Sequence, residues 1–424
     1  MRAAGRLGAL QEPQFRLLWL GRTASAIGDA LIPVALAFAV IEETGSATDL
    51  GLVMSAYTLS RLLLIVVGGV WADRLPRRLV MLAADLLRAC SQGIVALLLI
   101  TDTAEIWQLA LGGAVGGGAH AFFGPASTAL VPDTVSPGRL QQANALVGLT
   151  GNATELFGPA LSGALVAAVG PGWVFAADAA SFAVSAVFLL AMRVPEHRAT
   201  DQQPFLREVA GGLREIAARA WLSVSLVTFA VGNLTIAAYL VLGPLIVSRE
   251  LGGARDWGFV LTGGAAGGLL ATLLALRYRP RRPLLVGFAL LLFEPVTLLT
   301  LIPPLPTVGL AVGAAIGFGT VSIFNVFWET VLQEQIPKRA LSRVSSLDWM
   351  VSLVFMPVGY TIVGPLSDAI GVDATLWLAA AVSLGATLLA FLVPSLRGLT
   401  RPLPSPASDS VGESPVPAPL DPLP

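Results

Sequence analysis

The chain has 424 residues, of which 55% are hydrophobic and only 12% are charged. That charged fraction is about half the usual one, and with a mean hydropathy of +0.77 it excludes an ordinary soluble fold and indicates a membrane protein. Cys90 is the single cysteine, which excludes an intrachain disulfide and a thiolate metal cluster, whereas the net charge of −1 excludes no class of partner.

Twelve stretches are apolar for about the 20 residues that a helix needs to cross a bilayer. The first is too long for a signal peptide and is followed by another, so we expect it to be retained. The predicted spans are 17–41, 48–72, 79–101, 106–131, 140–168, 172–193, 221–248, 256–277, 283–303, 307–334, 341–367 and 372–394.

Basic residues in the loops and at the ends of these spans are distributed very unevenly between the two sides. If the N-terminus is cytoplasmic, that side holds 21 Lys and Arg residues, and the other side holds only Arg249 and Arg255. The positive-inside rule therefore predicts that both termini face the cytoplasm.

The chain also repeats itself at about half of its length. "FGPALSGALVAAVGP" (157–171) is echoed by "VGPLSDAIGVD" (363–373), and "VSPGRLQQANAL" (135–146) by "IPKRALSRVSSL" (336–347). We therefore predict an all-α membrane protein with twelve transmembrane helices in two pseudo-symmetric six-helix halves. The predicted divisions are an N-terminal half 1–193, a cytoplasmic linker with an amphipathic helix 194–220, a C-terminal half 221–394 and a disordered proline-rich tail 395–424.

Several short motifs resemble those of one transporter family. "GGVWADRLPRRLVM" resembles the signature that the major facilitator superfamily carries between its second and third helices, with Pro76 where that signature has glycine. "FGPALSG" resembles the fifth-helix motif that marks exporters, and "RLQQANAL" and "DAASFAVSA" resemble the enterobactin-exporter and macrolide-efflux subgroup. The signature residues are Gly69, Asp73, Arg74, Arg77 and Arg78.

The resemblance implies the twelve-helix fold of that superfamily and a secondary transporter. It also implies a gating contact, in which Asp73 faces the N-terminal end of the eleventh span. The alternative is that this turn only anchors the topology through its basic residues. For Gly158, Pro159 and Gly163 an exporter role rests on the resemblance, and the alternative is close helix packing.

Charged residues near the middle of a span are expensive and indicate function. Asp29, Arg61 and Glu155 are the predicted proton-coupling residues, and Asp29 and Arg61 could instead form a static ion pair. Glu294 is a predicted substrate-cavity residue, together with His120, Asn325 and Trp328, although the histidine and the aromatic residue could equally be structural. Six other charged residues are expected to lie near span ends and to snorkel: Arg22, Asp85, Arg88, Asp178, Glu329 and Asp348.

No ATP-binding or hydrolase motif is found in the sequence, so we predict neither an enzyme nor a bound cofactor or metal. The function predicted is proton-driven export of small amphipathic molecules, such as drugs or siderophores, across a bacterial inner membrane. We expect the partners to be the substrate, protons and the lipid bilayer, with no nucleic acid, and the protein to be a monomer. The alternatives are an importer or facilitator of the same fold, and a membrane-embedded enzyme or receptor.

Overall fold

The computed structural model describes residues 8–194 and 214–400, and for 66–74, 338–340, 342, 343, 346, 349 and 351–353 it describes the backbone alone. This part of the chain is almost entirely helical and contains fourteen α-helices. They are α1 Pro13–Thr44, α2 Ala47–Arg74, α3 Arg77–Ile100, α4 Ile106–Thr134, α5 Leu140–Val169, α6 Pro171–Ala191, α7 Ala220–Glu250, α8 Ala254–Ala275, α9 Pro283–Leu291, α10 Val296–Leu299, α11 Thr307–Gln335, α12 Lys338–Ile370, α13 Val372–Ala390 and α14 Pro394–Gly398.

Hydropathy predicts these helices closely, and eleven of the predicted spans agree with them to within four residues at each end. Eight of the helices are long and apolar enough to cross a membrane, and two shorter apolar stretches are Pro283–Leu299 and Val354–Ile370. The ninth predicted span was wrong as a single helix, because 283–303 contains two helices with a break between them. Pro295 has no N–H to donate within a helix, and α9 and α10 are separated at this point. Most of the predicted linker helix and of the predicted tail lies outside the described residues.

The predicted repeat is visible in the geometry of two matching turns. Gly170 joins α5 to α6 with φ 82° and ψ 161°, and Gly371 joins α12 to α13 with φ 92° and ψ 156°. Both conformations lie in the region that favours glycine. A single-residue turn therefore recurs 201 residues further along the chain.

Glycine-rich stretches of α4 and α8 allow these helices to approach their neighbours closely. Gly117 of α4 lies against the backbone of Tyr57 in α2, and Gly263 of α8 lies against the backbone of Ala311 in α11. Added side-chain atoms would separate these backbones, so the small residues determine the packing. The pairs α2–α4 and α8–α11 occupy equivalent places in the two parts of the repeat.

The two ends of the helix bundle differ in how their apolar cores are connected. We call the end where α1 begins and α13 finishes the terminal face, and the other end, with the turns 45–46, 170 and 251–253, the opposite face. Towards the opposite face one buried core joins residues of α1 and α2 to residues of α7 and α8. Towards the terminal face the described residues form two separate cores, one within 9–194 and one within 216–399.

The opposite face is closed by two helix pairs, α2–α12 and α5–α8. Ser55 Oγ donates to Pro357 O at 3.0 Å, and Thr48 Oγ1 donates to Asp368 Oδ2 at 2.8 Å. Arg249 Nη2 donates to Gly45 O at 3.0 Å, which adds a contact between the α1–α2 turn and α7. All of these contacts lie near the opposite face, so the bundle is joined across its midline at that end.

Candidate functional site

A charged cluster lies inside the N-terminal helices, centred on Arg88 at the midpoint of α3. Its Nη2 lies 2.5 Å from Asp85 Oδ1, and its Nη1 lies 3.3 Å from Asp29 Oδ2 of α1. Only 2% of the Arg88 side chain and none of Asp85 is exposed, whereas 37% of Asp29 is exposed. Arg88 is therefore a buried cation that two carboxylates share.

Aromatic rings complete the surroundings of Arg88. Its guanidinium carbon lies 4.6 Å from the ring centroid of Phe123 in α4 and 4.1 Å from that of Phe182 in α6. Both distances are within the range of cation–π attraction, which is strongest where water is excluded. The cluster thereby connects α1, α3, α4 and α6.

Asp178 of α6 is a third carboxylate in this region and is fully buried. Gln92 Nε2 donates to its Oδ2 at 3.0 Å. Asp178 Oδ1 and Asp85 Oδ2 are buried and accept no hydrogen bond from the described residues. The cluster thus contains two carboxylate oxygens that make no hydrogen bond in the described part of the chain.

These positions correct two expectations from the sequence. Asp29 pairs with Arg88 rather than with Arg61, because α1 packs mainly against α5 and α6, and only weakly against α2. The snorkelling expectation was wrong for Asp85, Arg88 and Asp178, which are all buried. The signal was available in the sequence, since Arg88 stands in the middle of an apolar stretch.

The other predicted residues of the N-terminal helices lie in different environments. Arg61 and His120 are half-buried, and the charges of Arg61 and Arg88 act on the histidine, whose Nδ1 is buried without a partner among the described residues. Glu155 is exposed on α5. Arg61 forms no ion pair with Asp29, whose partner among the described residues is Arg88.

A cavity of about 620 Å³ lies within the C-terminal helices. Three of the four predicted cavity residues, Glu294, Asn325 and Trp328, line it, whereas His120 lies in the N-terminal helices. Its other lining residues come from α7, α9, α11, α12 and α13: Thr228, Phe229, Gly232, Asn233, Ile236, Leu240, Leu291, Phe318, Val321, Phe324, Glu329, Asp348, Met356, Ser383 and Thr387.

Glu294 reaches this cavity because the helix stops at that point. It lies in the segment between α9 and α10, where Pro295 interrupts the backbone ladder, and Thr297 Oγ1 donates to the Glu294 carbonyl oxygen at 2.9 Å. Ser383 Oγ of α13 donates to Glu294 Oε2 at 2.5 Å, and the residue is 6% exposed. Broken helices near mid-depth are typical of transporter binding sites.

One wall of the cavity is aromatic. The rings of Phe229 and Trp328 are 4.8 Å apart and nearly perpendicular, and Phe324 lies 5.0 Å from Phe229. Trp328 Nε1 donates to Asp348 Oδ2 at 2.9 Å, which explains why a polar group of α12 is buried here. Asp348 is 6% exposed, so the expectation that it snorkels was also wrong. The sequence alone did not indicate Phe229, Asn233 or Ser383 as neighbours of Glu294.

The signature residues lie at the terminal face. Arg77 Nη1 lies 2.8 Å from Asp133 Oδ2 of α4, and Arg78 donates to the carbonyl oxygen of Met192 beyond α6. The side chains of Gly69, Asp73 and Arg74 lie outside the described residues. The predicted gating contact of Asp73 therefore remains a prediction.

The fifth-helix motif lies where α5 meets other helices. Gly158 packs against Ala30 of α1, and Gly163 packs against Ala254 and Gly258 of α8. The carbonyl of Pro159 faces Gly258. Pro159 and Gly163 consequently form part of the α5–α8 contact that closes the opposite face, whereas Gly158 belongs to the contact of α5 with α1.

Glu12, just before α1, is an acidic side chain outside the helix bundle that contacts the α4–α5 loop. Ser136 donates its hydroxyl, at 2.7 Å, and its backbone N–H, at 3.1 Å, to Glu12 Oε1 before α1. These bonds, assisted by Arg139, lower the pKa of Glu12. Its contact with the α4–α5 loop is therefore present at neutral pH and is lost as the pH falls through this lowered pKa.

Comparison with known proteins gives the family. The model of the Major Facilitator Superfamily matches residues 18–356. The multidrug efflux pump Tap of Mycolicibacterium fortuitum is 28% identical over 407 residues, which cover 91% of this chain and 97% of that protein. Macrolide efflux protein A of Streptococcus pyogenes is 24% identical over 374 residues, covering 85% of this chain and 91% of that protein.

Solved structures show the same fold at low sequence identity. A mutant of the nucleoside transporter NupG has a TM-score of 0.73 at 11% identity and covers 89% of this chain and 99% of its own. A bacterial homologue of the iron transporter ferroportin, in an inward-facing state, has a TM-score of 0.70 at 19% identity and covers 89% and 97%. With the family model matching most of its length, this chain belongs to the Major Facilitator Superfamily and is a transporter rather than an enzyme.

Proposed function

We propose that the protein exports amphipathic organic cations from the cytoplasm of a bacterium, driven by protons moving inward across the cell membrane. The observation that carries this proposal is the composition of the C-terminal cavity. Its lining is largely aromatic and aliphatic, and the described residues that form it include three acids, Glu294, Glu329 and Asp348, but no basic residue. Such a site suits a molecule that combines an apolar body with a positive charge. The efflux relatives support the direction of transport.

The proposed orientation places the terminal face in the cytoplasm, because 21 of the 26 Lys and Arg residues flank spans on that side. The closed opposite face then lies outside, and the two separate cores at the terminal face belong to an inward-open state. An exporter binds its substrate from the cytoplasm in that state. In this proposal all twelve spans cross the membrane, and the segment 194–220 connects the two halves.

Orientation can be tested by cysteine labelling. In a Cys90→Ser background we expect Thr103→Cys, in the α3–α4 turn, to react with an impermeant maleimide added outside intact cells. Ser395→Cys, just after α13, should react only in inverted vesicles. Both positions are exposed, so protection by burial does not explain a difference. Labelling of both from the same side would contradict the predicted topology.

Glu294→Gln tests the cavity. The amide oxygen of glutamine still accepts the hydrogen bond of Ser383, so we expect the fold to be retained while the negative charge is lost. A hydrogen bond to a charged group contributes ~1.5–3 kcal/mol, so the Kd for ethidium should rise about tenfold or more. The Kd for uncharged 1-N-phenylnaphthylamine should change little. Isothermal titration in detergent measures both values.

Asp373→Asn is the matched control, because Asp373 is an exposed acid at the start of α13, away from the cavity. It should leave both Kd values unchanged. Equal weakening of both ligands by Glu294→Gln would indicate a packing defect rather than charge recognition.

Flux in inverted vesicles separates the proposal from its alternatives. Ethidium should accumulate inside when a pH gradient is imposed with the interior acidic, and should not accumulate when an uncoupler removes the gradient. Gradient-independent equilibration would instead indicate a facilitator. Saturable movement in the reverse direction, stimulated by the gradient, would indicate an importer.

A further inference from the structure

We propose that Asp178 is a proton-binding site in the inward-open state, and that the cluster around Arg88, rather than Arg61 and Glu155, contains the coupling chemistry. This inference deepens the proposed function and rests on it, because a coupling role requires that protons drive transport. The binding of a proton by Asp178 can nevertheless be tested without transport.

Asp178 is fully enclosed, with none of its side chain exposed. Gln92 satisfies one of its two oxygens, at 3.0 Å. The other, Oδ1, makes no hydrogen bond among the described residues, because the neighbouring hydroxyl of Ser181 donates to the backbone oxygen of Asp178 at 2.7 Å. Oδ1 and the Ser181 hydroxyl both face α1 so closely that a Cβ at Gly28 would collide with them. A buried ionised carboxylate is stabilised by donors or a cation, whereas a protonated one carries its own hydrogen on the unsatisfied oxygen. Asp85 also has an unsatisfied oxygen, but it is paired with the Arg88 guanidinium, and Asp178 is not.

The balance of charge leads to the same conclusion. Asp178, Asp29 of α1 and Asp85 of α3 lie around one cation, because Arg88 is the one basic group among the described residues that forms ion pairs in this cluster. Three carboxylates and one guanidinium would leave a net charge of −2 in the membrane interior, where uncompensated charge is costly. Binding a proton at one of these acids reduces that charge without any movement of the helices.

Asp178 is the best-placed acid of the three to hold that proton. Arg88 pairs with Asp85 at 2.5 Å and with Asp29 at 3.3 Å, and both pairs stabilise the ionised form. Within the described part of the chain no ion pair of this kind reaches Asp178. The Arg88 guanidinium lies between the carboxylates of Asp29 and Asp85, so a metal cation could bind there only by displacing it.

Other titratable groups near Asp178 do not supply a counter-charge. Tyr57 and Arg61 lie on α2, which is not packed against α6, and His120 on α4 is influenced by Arg61 and Arg88. Glu155 of α5 is an exposed acid and carries no positive charge. Asp29, at 37% exposure, is the most exposed acid of the cluster, so in this proposal a proton enters or leaves through it.

Infrared difference spectroscopy on the purified full-length protein tests this site without any substrate. The C=O stretch of a protonated carboxyl group is separate from that of a carboxylate. At neutral pH, wild type minus Asp178→Asn should show a protonated-carboxyl band that moves in deuterated water. Wild type minus Glu155→Gln should show no such band. The asparagine side chain retains an oxygen that accepts from Gln92, so the Asp178→Asn variant should unfold at the same temperature as wild type or higher.

Flux then tests coupling. In inverted vesicles Asp178→Asn should abolish ethidium accumulation driven by a pH gradient, and should retain exchange between compartments of equal pH. A protonated-carboxyl band of full intensity in Asp178→Asn would overturn the proposal, and so would gradient-driven accumulation equal to that of wild type. If wild-type protein moved no ethidium but the band were present, the proposed function would fail while the proton site remained.

Discussion

Replacing Arg88 with methionine is expected to cause a large loss of stability. The substitution removes the cation that pairs with the fully buried Asp85 and leaves that carboxylate uncompensated. Removing one partner of a buried ion pair costs ~3–5 kcal/mol. Methionine is apolar and packs beside the rings of Phe123 and Phe182, but it is shorter than arginine, so the space left by the guanidinium adds a cavity cost to the loss of charge. The melting temperature of purified protein measures it.

Two further variants make this expectation specific. Adding Asp85→Asn to Arg88→Met removes the unpaired charge and should recover most of the lost stability. Arg139→Met is the matched control, because Arg139 is 38% exposed and lies 3.5 Å from Glu12. An exposed pair of this kind contributes ~0–1 kcal/mol, so its loss should shift the melting temperature little. Equal shifts for Arg88→Met and Arg139→Met would show that the buried cluster is not held together by charge.

Hydropathy predicts the helices well because the bilayer fixes a minimum length for every span. The division at Pro295 was missed even though proline was visible in the sequence. The number of apolar residues in 283–303 is enough for a full span, but hydropathy takes no account of the backbone N–H that proline lacks.

The partners of the charged residues could not be predicted in the same way. Asp29 and Arg61 are on successive helices, but succession along the chain does not determine which helices face each other in a bundle. α1 packs against α5 and α6, and this arrangement brings Asp29 to Arg88 of α3. Charge at mid-depth could be identified from position, whereas its partner depends on the three-dimensional packing.

The cavity shows the same limit. Glu294, Asn325 and Trp328 were identified because they are polar or aromatic residues within apolar spans. Ser383, which donates to Glu294, lies 89 residues away in the chain and on another helix. A binding site assembled from five helices leaves no linear motif, so the sequence indicates its chemical type but not its boundary.

Gly163→Ala is expected to shift the protein away from the state described here. An added Cβ would lie 3.2 Å from Gly258 Cα and closer still to the carbonyl of Ala254, so α5 and α8 could no longer close the opposite face without strain. Inserting an atom into such a contact costs ~1–3 kcal/mol, which corresponds to about a 5- to 150-fold smaller population of the closed state. If the halves rock apart at this face during transport, the open state carries no such penalty.

The change can be measured as a distance between spin labels at Thr103→Cys and Asp373→Cys in a Cys90→Ser background. Both residues are exposed at the opposite face, one in each part of the repeat. Gly163→Ala should lengthen the dominant distance and slow ethidium efflux, because substrate loading requires the inward-open state. Gly151→Ala is the matched control on the same helix, since an added Cβ there has no neighbour within 4 Å. An unchanged distance distribution in Gly163→Ala would show that the α5–α8 contact does not determine which face is closed.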